Sequence, residues 1–414
     1  MKALEFIQAE ASKCLECASC REVCDIAAAV AQKVPPRIAL DVALGASDER
    51  ERWFVPRCSL CGRCSFVCPQ GIDAPALMVA ARSVMTDEGT LDVGKYRPML
   101  VDERWHAISL YRDAYGLDFS AYRKERAPIA FLPGCTLLNT APDAALKTLE
   151  WLEEAFECEV SLVDRCCGMP LQEMGLLDRY EAYLDDLFGE LKEMGARKLI
   201  AACPNCLGRL AQHGSRAGIT TQIVYEPMAA MGFRAPLAKD MTICVHDSCP
   251  ARGTLIGSWV RAIVGAATLV EAQHHGDCSQ CCGSGGAVGM YDSVLSGIRA
   301  QRRRDELVAT GADAIVTYCM SSCSTLFDAD ACPNVRHVLE LAFSAPADHG
   351  QYAELVEAMW QGESGERCDA LLNGETQLDK RRLAAMPAWV RKRWRPVATW
   401  KEMLFAWLIS IAGT

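Results

Sequence analysis

The stretch Cys14-Leu15-Glu16-Cys17-Ala18-Ser19-Cys20-Arg21-Glu22-Val23-Cys24 spaces four cysteines as C-x2-C-x2-C-x3-C, and Cys58, Cys61, Cys64 and Cys68 repeat that spacing, the second run ending in Pro69. Three thiolates on successive short turns can hold three corners of one iron-sulfur cube, while the fourth thiol of each run points away and ligates the other cube. The spacing therefore predicts two cubane 4Fe-4S clusters, one on Cys14, Cys17, Cys20 and Cys68 and the other on Cys58, Cys61, Cys64 and Cys24. Zinc is the competing occupant. It takes its four ligands as two spaced pairs, and runs of four repeated twice do not follow that pattern. In the first run Asp25 stands where the usual proline would follow, which weakens the local turn without removing a ligand.

Between the runs, residues 25–57 contain two helical candidates, Ile26 to Gln32 and Ile38 to Leu44, so helices are expected to separate the clusters. A compact two-cluster ferredoxin would join its runs by a short hairpin. The longer insert points to a helical two-cluster ferredoxin-like domain, taken as residues 1–125. Leu77, Ala80, Ala81 and Val84 recur at helical spacing, and the rest of the stretch to about Tyr122 also reads as mostly helical.

After Pro128 the pattern changes to short apolar strands alternating with helical stretches: Ile129 to Leu132, Ala144 to Glu154, Val160 to Val163, Arg179 to Glu193, Lys198 to Ala201 and Gln222 to Tyr225. That order predicts small parallel α/β units. Cys135, Cys166-Cys167-Gly168 and Cys203-Pro204-Asn205-Cys206 punctuate the first unit, and Cys249, Cys281-Cys282-Gly283, Cys319 and Cys323 the second. Cys249 lies 114 residues after Cys135, Cys281 115 after Cys166 and Cys319 116 after Cys203. A near-constant offset means an internal duplication. The halves are taken as residues 126–238 and 239–345, with a C-terminal extension over 346–414.

In parallel α/β units ligand groups gather at the carboxyl ends of the strands. The cysteines fall just after Leu132, Val163, Ala201, Val245 and Thr317. Each half thus brings distant thiols to one rim. Adjacent thiols such as Cys166 and Cys167 do not easily serve two corners of one cube, but they can bind different irons or let one sulfur bridge two, so a non-cubane cluster is expected in one or both halves. Buried thiols without metal, degenerate remnants and zinc remain the alternatives here.

The chain has 414 residues, half of them apolar, and 23 cysteines, so it can build two to four domains with real cores and does not need staples. Disulfide scaffolds belong to small secreted domains, and Met1 to Glu10 lacks the charged and apolar regions of a secretory leader. Reduced, metal-binding thiols in the cytoplasm are the expectation. A net charge of −10 argues against nucleic acid as a partner. The apolar run Met403 to Ala412 is about half the roughly 20 residues a spanning helix needs. Its neighbours Trp389, Trp394, Trp400, Arg391, Lys392, Arg393 and Arg395, with Leu404, Phe405, Leu408 and Ile409, predict an amphipathic segment that docks on a membrane or a membrane subunit. Deletion after Pro387 is expected to release the chain from such a partner.

Up to about residue 345 the chain resembles the D-type subunit of heterodisulfide reductase, in which a ferredoxin-like part is fused to two CCG cysteine-rich domains. Cys135, Cys166, Cys167, Cys203 and Cys206 match the family's five-cysteine signature, as do Cys249, Cys281, Cys282 and Cys319. Cys323 departs from it, making CxxxC where the family has CxxC, and Cys278 could compensate. The resemblance implies an α+β fold with two Rossmann-like CCG domains and two non-cubane 4Fe-4S clusters facing a shared cavity, where a disulfide is cleaved. It also implies a membrane cytochrome or quinone-interacting subunit as partner, with a flavoprotein as a further possibility. Iron-sulfur subunits of glycolate oxidase, of anaerobic glycerol-3-phosphate dehydrogenase and of transmembrane redox complexes of sulfate reducers are similar too, so a relay without its own substrate is the alternative function.

Disulfide cleavage consumes protons, and His246, with Asp247, precedes Cys249 closely enough to be a candidate donor; a His after a strand is more often structural. His274 and His275 fit a polar loop. Cys158, Cys244, Cys332 and Cys368 fit no ligand register and read as small apolar side chains. Gly283, Gly285, Gly286 and Gly289 follow a cysteine pair and lack an acidic ribose ligand, so they read as a tight turn into a helix rather than a dinucleotide site.

Overall fold

A computed structural model describes residues 2–30, 33–91, 93, 99–102 and 106–350. The proposed C-terminal segment and Cys368 lie outside the described residues. Among those described, no helix is long and apolar enough to cross a membrane.

The first part is helical. Between the two cysteine runs come helices Asp25–Val30, Pro35–Ala43 and Glu49–Arg57, and a long helix Ala74–Asp87 follows the second run. The Glu49–Arg57 helix starts on a full capping box, in which Asp48 accepts from the Glu51 amide and Glu51 reaches back to the Asp48 amide. Pro35 and Pro36 open their helix at the position where a missing N–H costs nothing. Ile7, Ile38, Val42, Phe54, Leu77, Met78 and Ala81 close the core among these helices.

Two four-stranded parallel sheets follow. The first contains β1 (Ile129–Leu132), β2 (Val160–Leu162), β3 (Lys198–Ala201) and β4 (Thr220–Ile223) in the order β2-β1-β3-β4. The second contains β5 (Thr242–His246), β6 (Thr268–Val270), β7 (Ala314–Thr317) and β8 (Val335–His337) in the order β6-β5-β7-β8. Equal topology in equal order agrees with the duplication. The fourth strand starts two residues before the expected Gln222, and Tyr225 already belongs to the next helix, Tyr225–Ala230. Strand β1 is buried on both faces: Ile129 and Phe131 enter a core shared with β5 and β7, while Ala130 and Leu132 enter the core shared with the N-terminal helices. Alternation along one short strand thus binds all three parts together.

Polar staples fix the N-terminal helices against the sheets. The guanidinium of the fully buried Arg82 donates to the carbonyls of Val55, Pro56 and Cys58, of Glu173 in the first half and of Gly286 in the second, at 2.6–3.1 Å. Arg299 donates to both carboxylate oxygens of Asp25, at 3.0 and 2.8 Å, and to Ser59 Oγ at 2.5 Å. The aspartate that replaces proline after Cys24 is therefore a docking residue for the second half. Burial raises the Asp25 pKa, but Arg299 and Arg302 outweigh it and hold the carboxyl below its ordinary value.

Candidate iron-sulfur centres

The sheet order reverses between β1 and β3, and again between β5 and β7, which makes the carboxyl ends of these strands the crevices where ligands collect. Cys135 begins a helix three residues beyond β1, and Cys203 caps a helix two residues beyond β3. Gly134 has φ +93°, and a Cβ there would stand 3.1 Å from Cys203 Cβ, so glycine lets the two loops close on each other. In the second half Cys249 follows β5 in the same way and Cys319 caps the helix Met320–Leu326 beyond β7.

Every cysteine among the described residues is free. They fall into contiguous groups. Cys14, Cys17, Cys20, Cys64 and Cys68 line one pocket near the surface, where Cys17 is exposed. Cys64 is an electrostatic neighbour of Cys58, Cys24 and Cys20, which puts the fourth thiol of the first run among the thiols of the second. Cys61 is a close electrostatic neighbour of Cys281, and Cys281 of Cys249, so the second run reaches the second α/β half. Cys282 acts on Cys319, which is also a close electrostatic neighbour of Cys203 of the first half. From Cys203 the contacts continue to Cys206, Cys167, Cys166 and Cys135.

These thiols carry opposing electrostatic loads. Burial pushes Cys20 and Cys24 up to about 11. Cys167 and Cys203 are pushed well down by the thiols beside them, Cys166 and Cys206 for the first, Cys206 and Cys319 for the second, and Cys281 by Cys249 and Cys61. Backbone amides also aim at sulfur: the Glu16 N–H at Cys14 Sγ, 3.4 Å, and the Gly283 N–H at Cys281 Sγ, 3.3 Å. Crowded reduced sulfurs with amides pointing at them suit cationic iron held by thiolates, which offsets the burial cost that protonated thiols otherwise avoid. The residues present fit iron-sulfur clusters.

The halves differ at one position. Cys206, three residues after Cys203, meets Cys167. Three residues after Cys319 stands Ser322, in hydrogen-bond contact with Cys282 at 3.3 Å between Oγ and Sγ. Cys323 is one residue farther round the helix, about 100°, and turns away to Glu340 and His349. The structure does not bring Cys323 to Cys249, Cys281 and Cys282, and it leaves Cys278 exposed. Ser322 was not singled out by the cysteine pattern; counting the helical turn from Cys319 would have found it.

Two glycines explain how the second half approaches the second cysteine run. A Cβ at Gly286 would stand 2.3 Å from the Cys58 carbonyl oxygen, and one at Gly285 2.5 Å from that of Ser59. Gly286 also has φ +66°. The glycines after Cys282 therefore serve close backbone approach, and the tight turn into the short helix Val288–Tyr291 follows from them.

A cavity of about 500 Å³ lies between the halves. All five first-half cysteines line it, whereas among the described lining residues none is Cys249, Cys281, Cys282 or Cys319. Its second-half wall includes Met290, Met320, Ser321 and Ser324. Glu173, absent from the sequence candidates, also lines it, and burial pushes its carboxyl up against the opposing pull of Arg209 and Arg82. His246 is placed differently. It is fully buried, its Nδ1 accepts from Arg303 Nε at 3.1 Å, and burial with the Arg303 charge pushes it down to about 3, so the ring is neutral at physiological pH. Asp247 is held by Arg261 at 2.8 Å as part of the same support. His274 pairs with Glu306, and His275 bonds the Ala272 carbonyl.

Two family models agree with this layout. The 4Fe-4S dicluster domain family matches residues 13–73, and the cysteine-rich domain family matches 129–211 and 243–328. The B-type subunit of fumarate reductase (CoM/CoB) from Methanothermobacter marburgensis is 25% identical over 329 residues, covering 74% of this chain and 65% of that protein, less than two thirds of its length. The D-type subunit of dihydromethanophenazine:CoB--CoM heterodisulfide reductase from Methanosarcina mazei is 25% identical over 316 residues, covering 68% of this chain and 75% of that one. A hypothetical protein from Helicobacter pylori of known structure aligns with TM-score 0.45 and 8% identity over 83% of this chain and 72% of its own.

Proposed function

We propose, from the premise that the chain is a heterodisulfide reductase-like iron-sulfur protein of the D type, built of a 4Fe-4S dicluster domain and two cysteine-rich domains, that its first cysteine-rich half holds the reacting centre and its second half a connecting one. The carrying observation is the unbroken succession of neighbouring thiols that starts at the exposed Cys17 and ends where all five first-half cysteines face the cavity. In this reading Cys14, Cys17, Cys20 and Cys68 would hold one cubane cluster and Cys58, Cys61, Cys64 and Cys24 the other. Cys135, Cys166, Cys167, Cys203 and Cys206 would hold a non-cubane cluster, and Cys249, Cys281, Cys282 and Cys319, with Ser322 beside them, a fourth centre. Iron-sulfur clusters, when bound, pass single electrons over a potential range wide enough to include disulfide reduction.

The chain's own residues then define the reaction. A disulfide that takes up two electrons and two protons becomes two thiols, and the cavity wall of Met290, Met320 and Ala287 would exclude bulk water from it. Glu173 is the wall carboxyl that keeps its proton to higher pH than an ordinary one and can supply it. His246 supports Arg303 instead of giving up a proton. The partners proposed are a membrane cytochrome or quinone-interacting subunit at one end, with peripheral attachment on the cytoplasmic side, and a flavoprotein as alternative electron donor.

Ser322 supports this connecting role for the second half, since the fifth thiol is replaced by a hydroxyl and the group does not open on this cavity. The test is anaerobic titration of reduced protein with small disulfides under paramagnetic resonance. One centre should change its signal on adding disulfide, and Cys167→Ser should abolish that change while the two cubane signals persist. A disulfide that leaves every signal unaltered and accepts no electrons would make the whole chain a relay.

A further inference from the structure

Cys323, turned out of the second cysteine group, meets two other buried side chains. The three come from different elements: Cys323 from the helix after β7, Glu340 from the helix Val338–Ala342 after β8, and His349 from the segment beyond it. Their exposures are 0%, 2% and 3%. Cys323 Sγ is 3.9 Å from both His349 ring nitrogens, and His349 Nε2 is 3.0 and 3.2 Å from the two Glu340 carboxylate oxygens. One ligand atom from each lies within 4.8 Å of the others.

We propose that Cys323, Glu340 and His349 form a mononuclear zinc site separate from the iron-sulfur cysteines. Zinc takes sulfur at about 2.3 Å and nitrogen or oxygen at about 2.0–2.2 Å in a tetrahedron, so its ligand atoms sit roughly 3.3–3.6 Å apart. The observed separations bracket that range, and a small turn of the His349 ring presents one nitrogen to the ion. Three protein donors, one sulfur, one nitrogen and one oxygen, leave the fourth tetrahedral position to a water, and such a mixed set without redox demands suits zinc's borderline character.

Charge supports the assignment. Among the described residues Glu340 pairs with His349 and with no Lys or Arg, and its buried carboxylate also accepts from the amides of His337 and Ala347. Burial and the Glu340 charge push the Cys323 thiol up. A divalent cation reverses both costs: on binding, the Cys323 proton leaves to solvent, and thiolate plus carboxylate neutralise the ion with His349 neutral. The site would clamp the β7 and β8 sides of the second half behind Cys319, without facing the cavity.

The test uses the full-length chain purified anaerobically with its iron. It should carry about one zinc per chain beyond its iron, and X-ray absorption at the zinc edge should show one sulfur with nitrogen and oxygen. Cys323→Ser and His349→Asn should each lose most of that zinc while iron content and visible iron-sulfur absorbance stay at wild-type levels. A wild-type chain without zinc after incubation with it, a zinc shell of three or four sulfurs, or zinc retained in both variants would overturn the proposal. The absorption measurement needs no variant, so misfolding of a substituted chain does not protect the idea.

Discussion

Ser322 stands one residue before the cysteine that the sequence pattern selects, and at the turn of helix where the first half has Cys206. Ser322→Cys should therefore restore a fifth thiol to the second centre, changing the resonance signal of that centre alone with iron content unchanged; an unaltered spectrum would mean that position 322 does not face the metal. Glu173→Gln should lower disulfide turnover by between about tenfold and the roughly 10²–10⁴-fold ascribed to positioned acids. Because its carboxyl is pushed up, wild-type turnover should fall as pH rises through that raised value, and the glutamine variant should lose this limb in a pH profile. Spacing alone led to the expectation that Cys14, Cys17, Cys20 and Cys68 gather, and they line one pocket together with Cys64 of the other run. Single residues were not legible where a one-residue shift rotates a side chain by about 100° on a helix, nor for Glu173, whose role depends on burial made by distant residues.

Short strands and the loops after them carry the next level. The order of strands and helices could be read from periodicity, and so could the placement of cysteines at strand ends; the start of β4 could not, since Thr220 is exposed, Thr221 is only partly buried, and neither carries an apolar signal. The contact between the second half and the Cys58 loop was also hidden, because glycines show in a sequence as turns and not as the surfaces that other loops approach. Gly286→Ala should push the second half off that loop, at a cost on the order of 1–3 kcal/mol. Thermal unfolding should detect it, and so should slower electron delivery past Cys61, with iron content retained. Arg82→Met removes five hydrogen bonds to carbonyls of three segments, and a loss on the order of 3 kcal/mol or more is expected in denaturant unfolding. A change below about 1 kcal/mol would mean these carbonyls find other partners.

Across the protein, duplication supplied two similar sheets, and packing made them unequal. One half sits against the second cysteine run through Cys61 and Cys281, the other ends at the cavity, and Cys203 with Cys319 joins them. Such an order is a property of tertiary contacts, which the sequence encodes only through residues like Arg299, Asp25 and Gly286 that look ordinary in isolation. Whether the four thiol groups are four iron-sulfur centres is decided by iron and acid-labile sulfide analysis of anaerobically purified, full-length protein. About sixteen irons per chain with matching sulfide are expected. A content of about eight irons, with the Cys135 and Cys249 groups empty or filled by zinc, would refute the assignment.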